Sequence, residues 1–143
     1  MTIHKLASAF IAVALLTAGL FAGTLATTQE AQAQATMRVF EMRTYTTHDG
    51  KLDDLQARFR NHTTKFFEKH GMTNVGYWVP REQPNTLIYI LAYPSRDAAT
   101  KAWDGFRKDE GWIAARTASE ANGPIVAKVQ SVFMDPTNFS GIK

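Results

Sequence analysis

The chain has 143 residues, with 16 lysine and arginine residues against 13 aspartate and glutamate residues, which gives a formal net charge of +3. It has no cysteine, and this excludes disulfide bonds, thiol nucleophiles and thiolate metal ligands. The basic residues are scattered along the chain rather than clustered, which argues against a nucleic-acid-binding surface.

The N-terminus has the pattern of a secretory signal peptide. A basic start precedes an uncharged run over residues 6–26, and small residues follow at Ala33 and Ala35. The run is also long enough to span a bilayer as a retained anchor, but its polar residues weaken that alternative. We therefore predict cleavage of residues 1–35. The remaining residues, 36–143, form one domain in the periplasm or outside the cell, without membrane attachment.

The first two predicted elements of this domain are a strand and a long helix. Residues 37–46 alternate apolar and polar side chains, as a strand does. Residues 51–70 have helical periodicity, with Asp49 as the predicted N-cap and Gly71 as the stop signal. The apolar stripe of this helix comprises Leu52, Leu55, Phe59, His62 and Phe66. We expect the stripe to face the sheet.

The remaining elements complete a β-α-β-β-α-β order. Strands are predicted over residues 73–80 and 86–93, with a turn between them. Ser95 is expected to cap a second helix, and a short third helix is expected over residues 109–120. The last strand spans residues 125–134. This order predicts an α+β, ferredoxin-like fold, in which both main helices pack on one face of a four-stranded, mainly antiparallel sheet.

The third predicted strand is apolar on both faces. Leu87, Tyr89 and Leu91 occupy one face, whereas Ile88 and Ile90 occupy the other. The helices can cover only one of these faces. The economical cover for the other face is the same surface of a second subunit. We therefore predict a homodimer in which two sheets face each other as a barrel.

Several segments of the chain resemble the NIPSNAP family. In order, they are residues 40–46, 66–71, 75–78, 91–95 and 128–133, with the sequences FEMRTYT, FFEKHG, VGYW, LAYPS and KVQSVF. The resemblance implies a dimeric α+β barrel. It also implies a superfold that includes cofactor-independent monooxygenases, isomerases and haem enzymes, with pockets between sheet and helices. The segment DEGW, residues 109–112, departs from the family pattern, which implies a looser start of the third helix.

His62 is the candidate catalytic residue, because it interrupts an apolar helix face that is expected to point at the sheet. A neutral imidazole there can act as a base, as a hydrogen-bond donor or as an axial ligand. The alternative is a buried histidine bonded to a neighbouring hydroxyl or carbonyl group. His70 is expected instead to cap the last carbonyls of the helix. No metal-ligand spacing is present, so no metal site is predicted; no cofactor is predicted either, with haem at His62 as a remote alternative.

The domain has an unusual number of aromatic residues for its helix–sheet layer. Tyrosine and tryptophan can line a cavity for a flat apolar ligand and orient it, or they can belong to the core. The candidate ligand-binding residues are Tyr45, Trp78, Tyr93, Trp103 and Trp112. Glu41 and Arg43 share one face of the first strand, and we expect them to pair with each other or across the dimer interface.

Two functions are compatible with these patterns. The first is an exported binding module that holds a small apolar or aromatic molecule in a pocket between sheet and helices, or whose assembly is itself the function. The second is a cofactor-independent monooxygenase or isomerase of a small aromatic or carbonyl compound, with His62 as the proton-transfer group. The first is favoured, because fold analogy alone does not assign an activity.

Overall fold

The computed structural model of the protein describes residues 38–143. Its strands are β1 (Val39–Thr47), β2 (Thr73–Trp78), β3 (Thr86–Tyr93) and β4 (Val126–Met134). Its helices are α1, which is described below, α2 (Arg96–Lys108) and α3 (Glu110–Ser119). The predicted signal peptide lies outside the described residues. No helix within residues 38–143 is long and apolar enough to cross a membrane.

The four strands form one sheet in the order β2-β3-β1-β4, and all neighbouring strands are antiparallel. Strand β1 lies between β3 and β4, so Arg43 is opposite Tyr89 on one side and Ser131 on the other. The core fills the layer between the sheet and the helices, and its largest fully buried side chains include Leu55, Phe67, Tyr89, Leu91 and Tyr93. The predicted α+β, ferredoxin-like fold is confirmed.

Helix α1 contains a π-helical turn. It runs as an α-helical segment Leu52–Arg58, the π-helical turn Phe59–Thr63 and a second α-helical segment Thr64–Lys69. A π-helical turn accommodates an extra residue, which rotates the following segment by about 100° relative to a regular helix. The buried positions are Leu55, Arg58, Phe59, Thr63 and Phe67. The predicted stripe is wrong at His62, which the rotation leaves exposed, whereas Phe66 is half-buried and still packs against the core.

The two ends of α1 are fixed differently. Gly71 stops the helix as predicted, with a backbone φ of +78° that favours glycine. The predicted N-cap at Asp49 is wrong. The helix begins at Leu52 with Lys51 in the cap position and no side-chain cap bond. Asp49 instead accepts a hydrogen bond from Nδ2 of Asn85 at 2.9 Å, and so joins the start of α1 to the β2–β3 turn.

Both later helices have side-chain caps. The Ser95 hydroxyl oxygen accepts from the backbone N–H of Ala98 at 3.1 Å, as predicted for α2. At α3, the Asp109 carboxylate accepts from the backbone N–H groups of Gly111 and Trp112 at 2.9 and 3.2 Å. The expected loosening of this helix start is therefore wrong. Gly111 also fits closely, since a Cβ atom there would lie 3.0 Å from Cζ of Phe66.

The face of the sheet opposite to the helices is called the open face here. Its apolar side chains include Phe40, Met42, Ile88, Ile90, Val132 and Met134. Ile88 and Ile90 are half-buried, and Val132 is 51% exposed. The C-terminal residues 135–143 pass over one end of this face, where Pro136 and Ile142 line an apolar groove of about 320 Å³ with Phe40 and Ile90. The rest of the face lacks a cover among the described residues.

Candidate functional site

A buried carboxylate lies at the centre of the helix–sheet layer. Glu41 on β1 is 1% exposed, and four side chains donate hydrogen bonds to it. Arg43 Nη1 and Ser131 Oγ reach Oε1 at 2.6 and 2.5 Å, whereas Tyr93 Oη and Trp103 Nε1 both reach Oε2 at 2.7 Å. We call these five residues the carboxylate cluster. Three neighbouring strands and α2 contribute to it, so it joins the sheet to the helix above.

The carboxylate cluster holds a fixed charge rather than an exchangeable proton. Burial raises the pKa of Glu41, but the hydrogen bonds from Ser131, Tyr93, Trp103 and Arg43 together bring it below its ordinary value. Burial and the bond to Glu41 raise the pKa of Tyr93, so this hydroxyl remains a donor. The predicted pairing of Glu41 with Arg43 is confirmed, but on the helix-covered face of the sheet and not on the open face.

Arg43 leaves hydrogen-bonding capacity unused inside this layer. Its guanidinium lies over the Trp103 ring at 4.3 Å from the ring centroid. Its Nε, and the hydroxyl of the fully buried Tyr89 on the neighbouring strand, have no hydrogen-bond partner among the described residues. Burial raises the pKa of Tyr89 well above its ordinary value, so the hydroxyl stays protonated and can donate a hydrogen bond.

The five predicted ligand-binding aromatics do not share one pocket. Tyr93 and Trp103 are buried and meet at Glu41. Trp112 is half-buried against Phe106, with ring centroids 4.5 Å apart, and Trp78 is 51% exposed at the end of β2. Tyr45 lies edge-on to Tyr89 at 5.3 Å. Two of the five are thus in the carboxylate cluster, and three lie at different margins of the helix–sheet layer.

One groove opens between α1 and the β2–β3 edge of the sheet, and we call it the edge groove. It has a volume of about 230 Å³. Its apolar lining consists of Phe59, Tyr77, Trp78, Val79 and Leu87, and its polar lining consists of Gln56, Arg60 and Thr64. The floor is rigid, because the ring of Tyr77 stacks on that of Tyr89 at 5.5 Å and contacts that of Phe59 edge-on at 5.7 Å. The π-helical turn supplies Phe59 and Arg60 to this groove.

Burial and the negative charge of Glu68 raise the pKa of Tyr77 above its ordinary value. Its hydroxyl therefore stays protonated, and it donates a short hydrogen bond to Oδ1 of Asn74. The Asn74 amide in turn donates to the backbone carbonyl of Thr64 on α1 at 3.1 Å. These bonds tie the edge strand to the helix and hold the two walls of the edge groove at a fixed separation.

His62 lies outside the helix–sheet layer. It is exposed and lines a separate polar groove between α1 and α3, together with Asp54, Asn61, Ala115 and Ala118. The expectation that it points at the sheet is wrong, because the π-helical turn places Thr63 at the inward position. Thr63 is 2% exposed, and its hydroxyl donates to the backbone carbonyl of Arg58 at 3.3 Å.

His70 is the C-cap residue of α1, as predicted, and its backbone N–H donates to the carbonyl oxygens of Phe66 and Phe67 at 3.2 and 3.1 Å. Its Nε2 lies 2.7 Å from Oδ2 of Asp109, which Lys69 Nζ also contacts at 2.6 Å. These contacts hold the pKa of Asp109 below its ordinary value, with the Lys69 bond as the largest cause. The His70 side chain therefore links α1 to the cap of α3, in addition to the residue's place as the C-cap of its own helix. Within residues 38–143 there is no group of three or more histidine, cysteine, aspartate or glutamate side chains that could hold a metal ion.

Sequence reasoning missed the convergence at Glu41 and the walls of the edge groove. Tyr93 and Trp103 lie 52 and 62 residues from Glu41 along the chain, so no local pattern connects them. A signal for Glu41 was present, since two charges at Glu41 and Arg43 interrupt an otherwise apolar strand face. No periodicity in α1 indicated the π-helical turn that brings Thr64 to the edge groove.

Comparisons with known proteins agree on the fold. A family model described as NIPSNAP matches residues 40–141. A NIPSNAP family protein of unknown function from Agrobacterium tumefaciens is similar in structure, with a TM-score of 0.67 and 19% sequence identity. That match covers 76% of this chain and 96% of the other. An uncharacterized NIPSNAP domain protein from Burkholderia xenovorans has a TM-score of 0.62 at 20% identity, covering 71% of this chain and 97% of that protein.

A third similar structure belongs to a protein with a stated activity. SnoaB, a cofactor-independent oxygenase from Streptomyces nogalater, has a TM-score of 0.55 at 18% identity. The match covers 73% of this chain and 98% of SnoaB. At this level of identity the likeness concerns the fold alone. The search among curated proteins finds no match.

Proposed function

The chain belongs to the NIPSNAP family, and we propose that it binds a small apolar or aromatic molecule in the edge groove. The observation that supports this proposal is the lining of the groove, which has one aromatic and aliphatic wall and one wall with a few polar groups. Binding sites for small molecules share this division, in which apolar surface supplies affinity and a few polar groups fix orientation. The volume of about 230 Å³ suits a ligand of one or two rings.

The π-helical turn of α1 supports the same site. Such turns are rare in proteins overall, but those that occur are often found at functional sites. Here the turn contributes Phe59 to the floor and Arg60 to the polar wall of the edge groove. A regular helix would carry these two side chains at the same spacing but would rotate the following segment, including Thr64, away from its place in the wall. The π-helical turn therefore shapes the wall of the edge groove, as expected if the groove binds a ligand.

Oxygenase or isomerase chemistry has less support. The likeness to SnoaB is one of fold, and His62, the predicted proton-transfer group, is exposed in a polar groove remote from the edge groove. The ionised Glu41 is enclosed by its four donors and does not line the edge groove. A binding role needs none of these groups to move a proton, and we favour it for that reason.

The assembly we propose is a homodimer formed through the open face. The proposed occupant of this face is a second copy of the chain, since the apolar band from Ile88 and Ile90 to Val132 would meet the same apolar band of its partner across a two-fold axis. The C-terminal residues 135–143 reach only one end of the band. Export through residues 1–35 to the periplasm or the medium belongs to the same proposal, and N-terminal sequencing of the protein from cells checks it.

The binding proposal is tested by a native mass spectrum of protein purified from the cells that make it. We expect a dimer that carries a fixed extra mass, which identifies the ligand. A dimer without extra mass would favour assembly as the function. The site is then tested with 1-naphthol as the probe, followed through the methyl resonances of Val79 and Leu87, which line the edge groove.

Two variants make this titration specific. Gln56→Trp fills the edge groove from its polar wall, and we expect it to abolish the shifts of Val79 and Leu87. Lys65→Trp adds the same ring at an exposed position of α1 outside the groove, and it should bind as the wild type does. Equal binding by Gln56→Trp and the wild type would refute the edge groove as the site.

A further inference from the structure

A further groove, between β4 and α3, has three basic residues among the nine that line it. It has a volume of about 330 Å³, and we call it the cationic groove. Arg58, Arg116 and Lys128 line it together with a single acidic residue, Glu120. Its apolar surface comes from Tyr45, Pro124 and Val129, among others. No residue of the edge groove belongs to it, so the two grooves are separate.

Glu120 does not neutralise all of this charge. Its carboxylate accepts from Arg58 Nη1 at 2.9 Å and from Arg116 Nε at 3.3 Å. Burial raises the pKa of Glu120, but the bonds and charges of the two arginines outweigh burial and leave it below its ordinary value. One carboxylate thus faces two guanidinium groups. The groove keeps a net positive charge.

One lining residue of this groove has a buried donor without an acceptor. Arg58 is 5% exposed, and its Nε has no hydrogen-bond partner among residues 38–143. Buried donors in native proteins nearly always have an acceptor.

We infer that the cationic groove binds a small organic anion, a carboxylate with an apolar body. The guanidinium groups of Arg58 and Arg116 match a carboxylate in geometry and charge. The Tyr45 ring and Val129 offer a surface for the apolar part, which inorganic phosphate would leave unused. A carboxylate bound there would supply an acceptor for the Arg58 side chain.

The inference is tested by titrating the purified protein with benzoate and recording amide resonances. Saturable shifts are expected at Val126, Ala127 and Val129, which line the cationic groove. Benzamide has the same shape without the charge, so it should shift these resonances much less. The inference is overturned if benzamide acts as benzoate does, if inorganic phosphate binds more tightly than benzoate, or if benzoate shifts only the edge-groove residues Val79 and Leu87.

A pair of matched variants assigns the effect to the groove. Arg116 is largely exposed, so Arg116→Gln removes a groove cation without emptying the core. We expect it to raise the dissociation constant for benzoate by about fivefold, the loss that one exposed charged contact of about 1 kcal/mol gives. Arg81→Gln makes the same change in the exposed β2–β3 turn and should bind as the wild type does. Equal dissociation constants for the two variants would overturn the inference.

Discussion

The two faces of the sheet differ in what covers them and in the kind of side chain they carry. The helix-covered face is packed with interlocking rings and carries a buried ion pair whose carboxylate has four donors. The open face carries aliphatic side chains and leaves Val132 half exposed. A buried charge needs hydrogen-bonding partners that its own chain holds in place. An exposed apolar surface has no such requirement, and another molecule of matching shape can cover it after folding. The helix-covered face thus serves folding, and the open face is suited to assembly.

The largest expected effect concerns Glu41. Glu41→Ala leaves the guanidinium of Arg43 and the donors of Tyr93 and Trp103 without their acceptor inside the core. Removing one partner of a buried ion pair costs about 3–5 kcal/mol, and we expect that loss in the free energy of unfolding measured with urea. Glu82→Ala, in the exposed β2–β3 turn, is the control and should stay near the wild type. A loss for Glu41→Ala as small as that of the control would mean that the cluster does not hold the two layers together.

The acid dependence of stability gives an independent reading of the same carboxylate. The pKa of Glu41 is lower in the folded than in the unfolded chain, so its contribution is complete above the unfolded pKa and is lost as the pH falls through the folded one. Asp109 and Glu120 have lowered pKa values too and act in the same direction. Glu41→Gln should therefore reduce, in part, the loss of unfolding free energy as the pH is lowered. If the variant loses as much stability on acidification as the wild type, Glu41 is not ionised in the folded protein.

The next prediction concerns the open face. Val132→Glu should weaken dimerisation by at least about a hundredfold, because burying one unpaired carboxylate at an interface costs about 3 kcal/mol and a two-fold interface carries the change twice. Sedimentation equilibrium measures the dissociation constant. Ile113→Glu is a matched control on α3, since Ile113 is 48% exposed and Val132 is 51% exposed. If both variants dimerise as the wild type does, or if the wild type is a monomer, the open face is not the dimer interface.

The contrast between the two faces also explains what the sequence predicts well. The element order, the β3 strand and the Ser95 cap depend on local patterns, and all three are confirmed. The carboxylate cluster depends on side chains more than 50 residues apart, which meet only when β3 and α2 fold over β1. The Asp109 cap went unpredicted because its segment departs from the family pattern, which implied a looser helix start, although aspartate is a good N-cap residue. The candidate sites needed the structure because a π-helical turn has no periodicity of its own.

The smallest expected effect tests that turn directly. If α1 were a regular helix, His62 would lie in the core, and its replacement would leave buried partners unsatisfied at a cost of about 1–3 kcal/mol. Because the π-helical turn leaves the His62 side chain exposed to solvent, we expect His62→Ala to change the free energy of unfolding by less than about 0.5 kcal/mol. Thr63→Val, one residue further, keeps the shape but removes the buried bond to the Arg58 carbonyl, and should cost about 1 kcal/mol. The order of these two losses distinguishes α1 with a π-helical turn from α1 as a regular helix. A larger loss for His62→Ala than for Thr63→Val would indicate a regular helix, in which Thr64 does not line the edge groove.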